Sequence, residues 1–380
     1  QQGLARREQR SPVRWRRAAG RIVQLERMLV QDGIAIEKVH LHVSESTQRK
    51  RLDVLAGAKA TRWRVTGEDR WLSRHYAEVE RALERGLDAT EHAAAPWHLV
   101  DGTDEQRRVE DVAGRLLQAL SNGPADVAAR TDRAHVAPRR PRKSGFPSAG
   151  AGATGRGDDH YDRELERLQG RLARLTRRKR FGDHAVVAVF EGMDAAGKGG
   201  AIRRVVAALD ARQYRVVPIS APSPEERARP YLWRFWRRLP PRGNFTIFDR
   251  SWYGRVLVER VRNFAAARDW SRAYDEIVEF ERQLDEHGVI VAKFWLAVSR
   301  DEQLARFEER DRNPLKRHKV DPEDWVNREH WSQYQRAAED MIARTDTPHG
   351  PWTVIAADDK REARLQVLST LVDRIDAALD

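Results

Sequence analysis

The chain has 380 residues, no cysteine, and a net charge of +12 from 70 Lys+Arg against 58 Asp+Glu. At roughly 150 residues per domain this length predicts two or three domains, and the missing cysteine excludes disulfide scaffolds, thiolate metal sites, iron–sulfur clusters and cysteine nucleophiles. The basic surplus, in which only ten residues are lysines, predicts a polyanionic partner, with an arginine-writing genome as the plain alternative.

The chain starts Gln1-Gln2-Gly3-Leu4 and lacks the apolar core of a secretory leader. No apolar run approaches about 18 residues, so no membrane partner is expected and the setting reads as cytoplasmic. The absent start methionine suggests that residue 1 is not the start of the gene product.

Residues 1–120 read as a partial copy of the chain's C-terminal domain, repeating its second half. Ile22-Val23, Glu26-Arg27, Leu29 and Gly33 recur as Ile277-Val278, Glu281-Arg282, Leu284 and Gly288, an offset of 255. The same register places Lys38 on Lys293, Ser44 on Ser299, Gln48 on Gln303, Arg51 on Arg306 and Pro96-Trp97 on Pro351-Trp352. One gapless register over about 100 residues predicts a duplicated domain whose first copy lacks the equivalent of residues 181–255. Residues 121–159 are rich in Gly, Pro, Ser and Ala and read as a flexible linker, with a short basic run at 139–143.

Residues 160–380 read as the complete domain. Leu165, Leu168, Leu172 and Leu175 have helical spacing. Strands are predicted at 184–190, 214–219, 245–248, 289–298 and 352–356. Helices are predicted from 198, and over 224–238, 251–264, 270–287, 300–310, 323–344 and 360–379, with a basic loop at 311–322. Short apolar strands alternating with helices predict a parallel sheet covered on both faces, with ligands at the strands' carboxyl ends.

The turn Gly192-Met193-Asp194-Ala195-Ala196-Gly197-Lys198-Gly199-Gly200 follows a strand and opens a helix, which is the setting a phosphate loop needs. Glycines let backbone N–H groups face phosphate oxygens, the helix N-terminus adds partial positive charge, and Lys198 adds a full one. Gly199 stands where a Ser or Thr ordinarily meets Mg²⁺, which makes Asp194 the candidate for that contact; the plain alternative is a turn former. Asn244 to Asp249 is an apolar strand ending in an acid, a second place to organise Mg²⁺. Arg250 and Arg255 follow it and suit the charge of a transferring phosphoryl group, although surface ion pairs would look the same. Arg306, Arg310, Lys316 and Lys319 lie in a basic segment with no evident buried face, read as a mobile lid over phosphate or, more plainly, as a solvated charge run. The tryptophans read as core or groove residues, and the histidines show no metal-ligand spacing.

Residues 191–200, the Pro230-Tyr-Leu-Trp-Arg-Phe-Trp236 segment, and Phe248-Asp-Arg-Ser-Trp-Tyr-Gly-Arg255 with Val258-Glu-Arg-Val261 closely resemble the polyphosphate kinase 2 family. The resemblance spans residues 160–379 and, for its second half, residues 15–120. It implies a three-layer α/β/α P-loop kinase of thymidylate-kinase-like fold, with parallel sheet and basic lid, preceded here by a partial second copy. It further implies Mg²⁺ as cofactor, inorganic polyphosphate and an adenine nucleotide as partners, and a homo-oligomer. By motif, Lys198 would hold phosphates, Asp194 and Asp249 would organise Mg²⁺ and the acceptor, and Arg250 and Arg310 would stabilise the transferring group. Gly192, Gly197, Gly199, Gly200, Arg255, Arg306, Lys316 and Lys319 would line the phosphates. Two fused copies with the intact loop in the second resemble the branch that converts AMP to ADP. Transfer to ADP, an ATP-dependent small-molecule kinase, and a nucleic-acid binder with a vestigial loop are the rival expectations. No nucleic-acid-binding signature supports the last.

Overall fold

The computed structural model describes residues 12–59, 61–131, 158–314 and 321–380. The chain divides into two compact units, Gln1–Ala137 and Pro138–Asp380.

The first unit contains α1 (Pro12–Gln31), β1 (Lys38–His42), α2 (Glu45–Gly57), α3 (Gly67–Arg74), α4 (Tyr76–Thr90), β2 (Trp97–Asp101) and α5 (Glu105–Thr131). Its two strands pair in parallel from Lys38↔Trp97 to His42↔Asp101. Ser44 caps α2, and Thr66 with Asp69 forms a reciprocal capping box on α3, so both helices begin where their first N–H groups find side-chain acceptors. Helix α5 runs to Thr131, into the stretch expected as linker, where the alanines of residues 125–131 favour helix. The remainder of that stretch, including the basic run at 139–143, falls outside the described residues.

The second unit begins with α6 (Asp158–Leu175), β3 (Ala185–Gly192), α7 (Lys198–Val206) and β4 (Tyr214–Pro218). Single helical turns at Pro224–Arg227 and Trp233–Trp236 lead into β5 (Phe245–Asp249). A 3₁₀ turn (Trp252–Arg255) and a helical turn (Val258–Val261) then lead into α8 (Ala267–Glu286), β6 (Val289–Ala297) and α9 (Arg300–Arg312). The unit closes with α10 (Pro322–Glu329), α11 (Trp331–Thr345), β7 (Trp352–Ala356) and α12 (Lys360–Leu379). The five strands form one parallel sheet in the order β4-β5-β3-β6-β7. β3 is buried from Ala185 to Glu191, as a central strand covered on both faces must be.

One face packs Val186, Ala188, Phe190 and Phe294 against Leu168, Leu172 and Leu175 of α6 and Val367, Leu371 and Ile375 of α12. On the other, Trp252 lies edge-on to Phe248, Phe235 and Phe280, placing α8 and the 252–257 segment over the sheet. The architecture is the expected three-layer α/β/α fold.

Three expected helices are interrupted. Pro230 separates the two turns in 224–238, because the residue before proline avoids helical backbone. In 251–264, Leu257 leaves helical geometry (φ −109°, ψ −99°). The helix expected at 323–344 divides at His330, which ends α10 and precedes α11, its ring nitrogen bonded to the Val326 carbonyl at 2.9 Å.

The duplication is explicit in the structure. α1 and α8, α2 and α9, α3 and α10, α4 and α11, and β2 and β7 each differ by 255 at both ends. The β1–β2 pairing Lys38↔Trp97 recurs as Lys293↔Trp352. So does a buried polar cluster: Lys38 Nζ meets Glu26 at 2.9 Å and the Thr90 carbonyl at 2.6 Å, while Lys293 Nζ meets Glu281 at 2.7 Å and the Thr345 carbonyl at 2.8 Å. Among the described residues the first unit has no counterpart of β3, β4 or β5.

Candidate active site

The site is built at the carboxyl ends of β3 and β5, where parallel strands leave their last carbonyls and the following loops to meet a ligand. β3 ends at Gly192, whose φ is +143°; a Cβ there would lie 2.5 Å from the Leu296 carbonyl oxygen, so a side chain is excluded by packing as well as by backbone. Gly197 (φ +101°) makes the second turn and hands the chain to α7, which Lys198 opens. Between them Ala195 adopts φ +59°, a left-handed conformation that a non-glycine residue holds only when its surroundings enforce it.

Those surroundings come from α9. Gln303 donates to the Asp194 carbonyl at 2.9 Å, and Arg306 Nη1 donates to the Ala195 carbonyl at 2.8 Å. The Arg306 Nη2 group donates to the carbonyls of Ala357 and Asp358 at 2.7 and 2.8 Å, and its Nε to Glu302 at 2.7 Å. Arg306 is 2 % exposed, with every guanidinium nitrogen engaged. This corrects the lid expectation: Arg306 is a buried brace on the phosphate loop. Gln303, Arg306 and Phe307 lie at i, i+3 and i+4 on the inward face of α9, the buried face that the charge density of this segment hides.

Lys198 donates to the carbonyls of Gly192 and Met193 at 2.8 and 3.1 Å, curling over the loop it belongs to. Burial lowers its ammonium; Asp194, Asp249 and Glu191 oppose that shift, and the Arg250 cation adds to it. β5 places Asp249 beside Phe190 of β3, and Arg250 then turns left-handed (φ +63°) while its N–H bonds the Phe190 carbonyl at 3.0 Å. The turn aims its guanidinium at the loop, where Nη2 meets Asp194 Oδ1 at 2.8 Å.

The other carboxylate oxygen of Asp194 accepts from Asn327 Nδ2 on α10 at 2.9 Å. Asn327 Oδ1 accepts in turn from Tyr334 Oη at 3.0 Å and from Arg262 Nη1 at 3.2 Å. Beneath the loop Glu191 is buried and accepts from Ser251 Oγ at 2.8 Å. Burial pushes its carboxyl up to about 7, against the Ser251 hydrogen bond and the charges of Lys198 and Arg250. Asp324 is raised by burial and by the neighbouring Asp194.

Asp194, Lys198, Asp249 and Arg250 therefore form one electrostatic cluster around the glycine turn. Gly199 and Gly200 lie in the first turn of α7, where a Cβ on Gly200 would come 3.2 Å from the Arg364 guanidinium. Arg310 occupies the last turn of α9, and its charge opposes the rise of the Asp324 carboxyl. The contacts of Arg255 are elsewhere than expected: it pairs with Glu259 at 3.0 Å and lies over the Tyr231 ring at 4.5 Å. Lys316 and Lys319 fall outside the described residues.

Sequence reading missed Glu191, Ser251, Gln303, Asn327, Tyr334 and Arg262. A signal for two of these was present in the repeat. At the offset of 255, Asn327 and Tyr334 replace Leu72 and Val79, polar groups where the first copy is apolar.

Among the described residues no group of three or more His, Asp or Glu could hold a metal. In phosphoryl-transfer sites Mg²⁺ is held by one or two carboxylates, with substrate phosphates and water completing its shell. Asp194 and Asp249 both act on the Lys198 ammonium through their charge, which puts two carboxylates of that kind beside the loop.

The polyphosphate kinase 2 family profile matches residues 7–126 and 156–380. A polyphosphate:AMP phosphotransferase of Pseudomonas aeruginosa is 47% identical over 357 residues, spanning 93% of this chain and 72% of that protein. The polyphosphate:AMP phosphotransferase of Pseudomonas syringae pathovar tomato is 46% identical over 358 residues, with the same coverage of 93% and 72%. A crystal structure of a polyphosphate kinase 2 from Pseudomonas aeruginosa superposes with a TM-score of 0.80 at 44% identity, covering 97% of this chain and 72% of that one.

Proposed function

The chain belongs to the polyphosphate kinase 2 family, and on that premise we propose that it transfers a phosphoryl group from inorganic polyphosphate to AMP, giving ADP. The observation that carries this reading is the cluster at the sheet's carboxyl edge: a glycine turn on a helix N-terminus, one lysine, two carboxylates and Arg250 joined to Asp194.

In the reaction an oxygen of the AMP phosphate attacks the terminal phosphorus of polyphosphate. A new P–O bond forms, the bond to the bridging oxygen breaks, and the polyphosphate leaves one unit shorter. The protein supplies position and charge. The loop N–H groups and Lys198 hold the donor's terminal phosphates. Arg250 neutralises charge on the transferring group, with Arg310 as a second cation from α9. Asp194 and Asp249 would hold Mg²⁺, which when bound offsets phosphate charge. Arg306 and Gln303 keep the loop in its strained conformation between turnovers. A cytoplasmic setting and a homo-oligomeric state belong to the same reading, and cell fractionation and sedimentation test them. No helix among the described residues is long and apolar enough to cross a membrane.

Incubation with Mg²⁺, polyphosphate and AMP is expected to yield ADP. ATP in place of polyphosphate should give little product, and ADP in place of AMP should be the poorer acceptor. Efficient ADP formation from ATP and AMP without polyphosphate would overturn the donor assignment.

A further inference from the structure

Asp194 is held from two directions by groups far apart in the chain. Arg250 comes from the turn after β5, and Asn327 from α10, the helix that follows the basic loop. The asparagine has one satisfactory orientation. Tyr334 and Arg262 both present donors to one end of its amide, so that end must be the oxygen, and the NH₂ must face Asp194. A cation, a phenol and an amide therefore form a relay that ends on a carboxylate inside the phosphate loop.

The first unit offers an internal comparison. It keeps the scaffold of the second: the buried lysine–glutamate pair, the Ser cap on the helix after its first strand, the capping box on its third helix, and Gln48 and Arg51 at the positions of Gln303 and Arg306. At the positions of Asn327 and Tyr334 it carries Leu72 and Val79. The helices α3 and α10 have the same length and α4 and α11 the same bounds after the offset, so neither polar residue is needed to build this part of the fold. In the second copy Asn327 reaches the phosphate loop, and Tyr334 holds its amide.

We propose that Asn327 is a positioning residue that fixes the Asp194 carboxylate and ties α10 to the phosphate loop, with Tyr334 and Arg262 orienting its amide. This rests on the reading that the second unit transfers phosphoryl groups. Its consequence is that the loop's acid is held in one rotamer before substrates arrive. A carboxylate left to swing would misplace the reacting groups by an ångström or more, enough to lower turnover on the order of 10–100-fold.

The test uses the full chain and two variants. Asn327→Leu gives the second unit the residue of its twin, and Asn327→Asp keeps the shape while replacing the donor with an acceptor. Both are expected to lower kcat for ADP formation on the order of 10–100-fold, with KM for AMP and polyphosphate changed only a few-fold. In the substrate-free protein, amide hydrogen exchange across residues 194–198 is expected to quicken in both variants. Wild-type kcat in Asn327→Asp overturns the proposal, and so does unchanged loop exchange in Asn327→Leu. Should Asn327→Leu lose its fold, Asn327→Asp carries both readouts. If the wild-type chain forms no ADP, the functional reading itself has failed, and loop exchange still decides whether Asn327 holds the loop.

Discussion

The two units put the same sequence pattern to different uses. Both build the same helices, α1, α2, α3 and α4 matching α8, α9, α10 and α11 in their bounds at the offset of 255. β6 lies between β3 and β7, whereas β1 pairs only with β2 among the described residues. What survives in both units is scaffolding, and what differs is chemistry: Leu55, Leu72 and Val79 stand at the positions of Arg310, Asn327 and Tyr334. A residue shared by both copies is therefore to be read first as structure, and a polar residue confined to the second as a candidate for function.

Arg306 shows how that rule works. Its twin Arg51 makes one of the same bonds, Nη2 to the Thr103 carbonyl at 2.6 Å, which corresponds to the Arg306 bond to Asp358. The brace between the helix after the strand and the end of the last strand is thus common to both units. Only in the second does the guanidinium also reach Ala195 in the phosphate loop.

The comparison can be broken at the buried ion pairs, where the expected effect on stability is largest. Lys293 and Glu281 are both 0% exposed and share their bonds with Tyr253 and Trp252. Lys293→Met would leave Glu281 charged and buried, costing about 3–5 kcal/mol, or roughly 6–20 °C in the unfolding midpoint of the second unit. Lys38→Met in the first unit should cost less, because Glu26 is partly exposed and keeps a bond from His92 at 2.7 Å. Calorimetry of both variants checks the order; equal losses would mean that the two clusters are equivalent despite their different surroundings.

A smaller effect sharpens the distinction at the arginines. Arg306→Ala should lower kcat on the order of 10–100-fold by releasing Ala195 from its left-handed conformation. Arg51→Ala should leave ADP formation unchanged, since among the described residues its guanidinium meets the Thr103 carbonyl and not the phosphate loop of the second unit. Steady-state kinetics of the pair would contradict the comparison if Arg51→Ala were as damaging as Arg306→Ala.

The sheet, its parallel sense and the phosphate loop were legible in the sequence because each depends on local pattern. β7 lies where its apolar run predicts, and Gly192 and Gly197 of the loop fall where the backbone takes positive φ. The basic segment was harder to read because charge density conceals helical phase: Arg306 and Arg310 both stand on α9, yet one is buried and the other half-exposed. Asn327 reaches Asp194 across 133 residues, and no local spacing announces such a contact. The repeat held the clue, since it shows which positions can be apolar without loss of fold.

In the proposed reaction phosphoryl transfer depends on the phosphate loop of the second unit. That dependence is tested most directly by Lys198→Ala in the full chain, assayed with Mg²⁺, polyphosphate and AMP by following ADP. ADP formation is expected to fall to background while both units remain folded. ADP formation at the wild-type rate would contradict it.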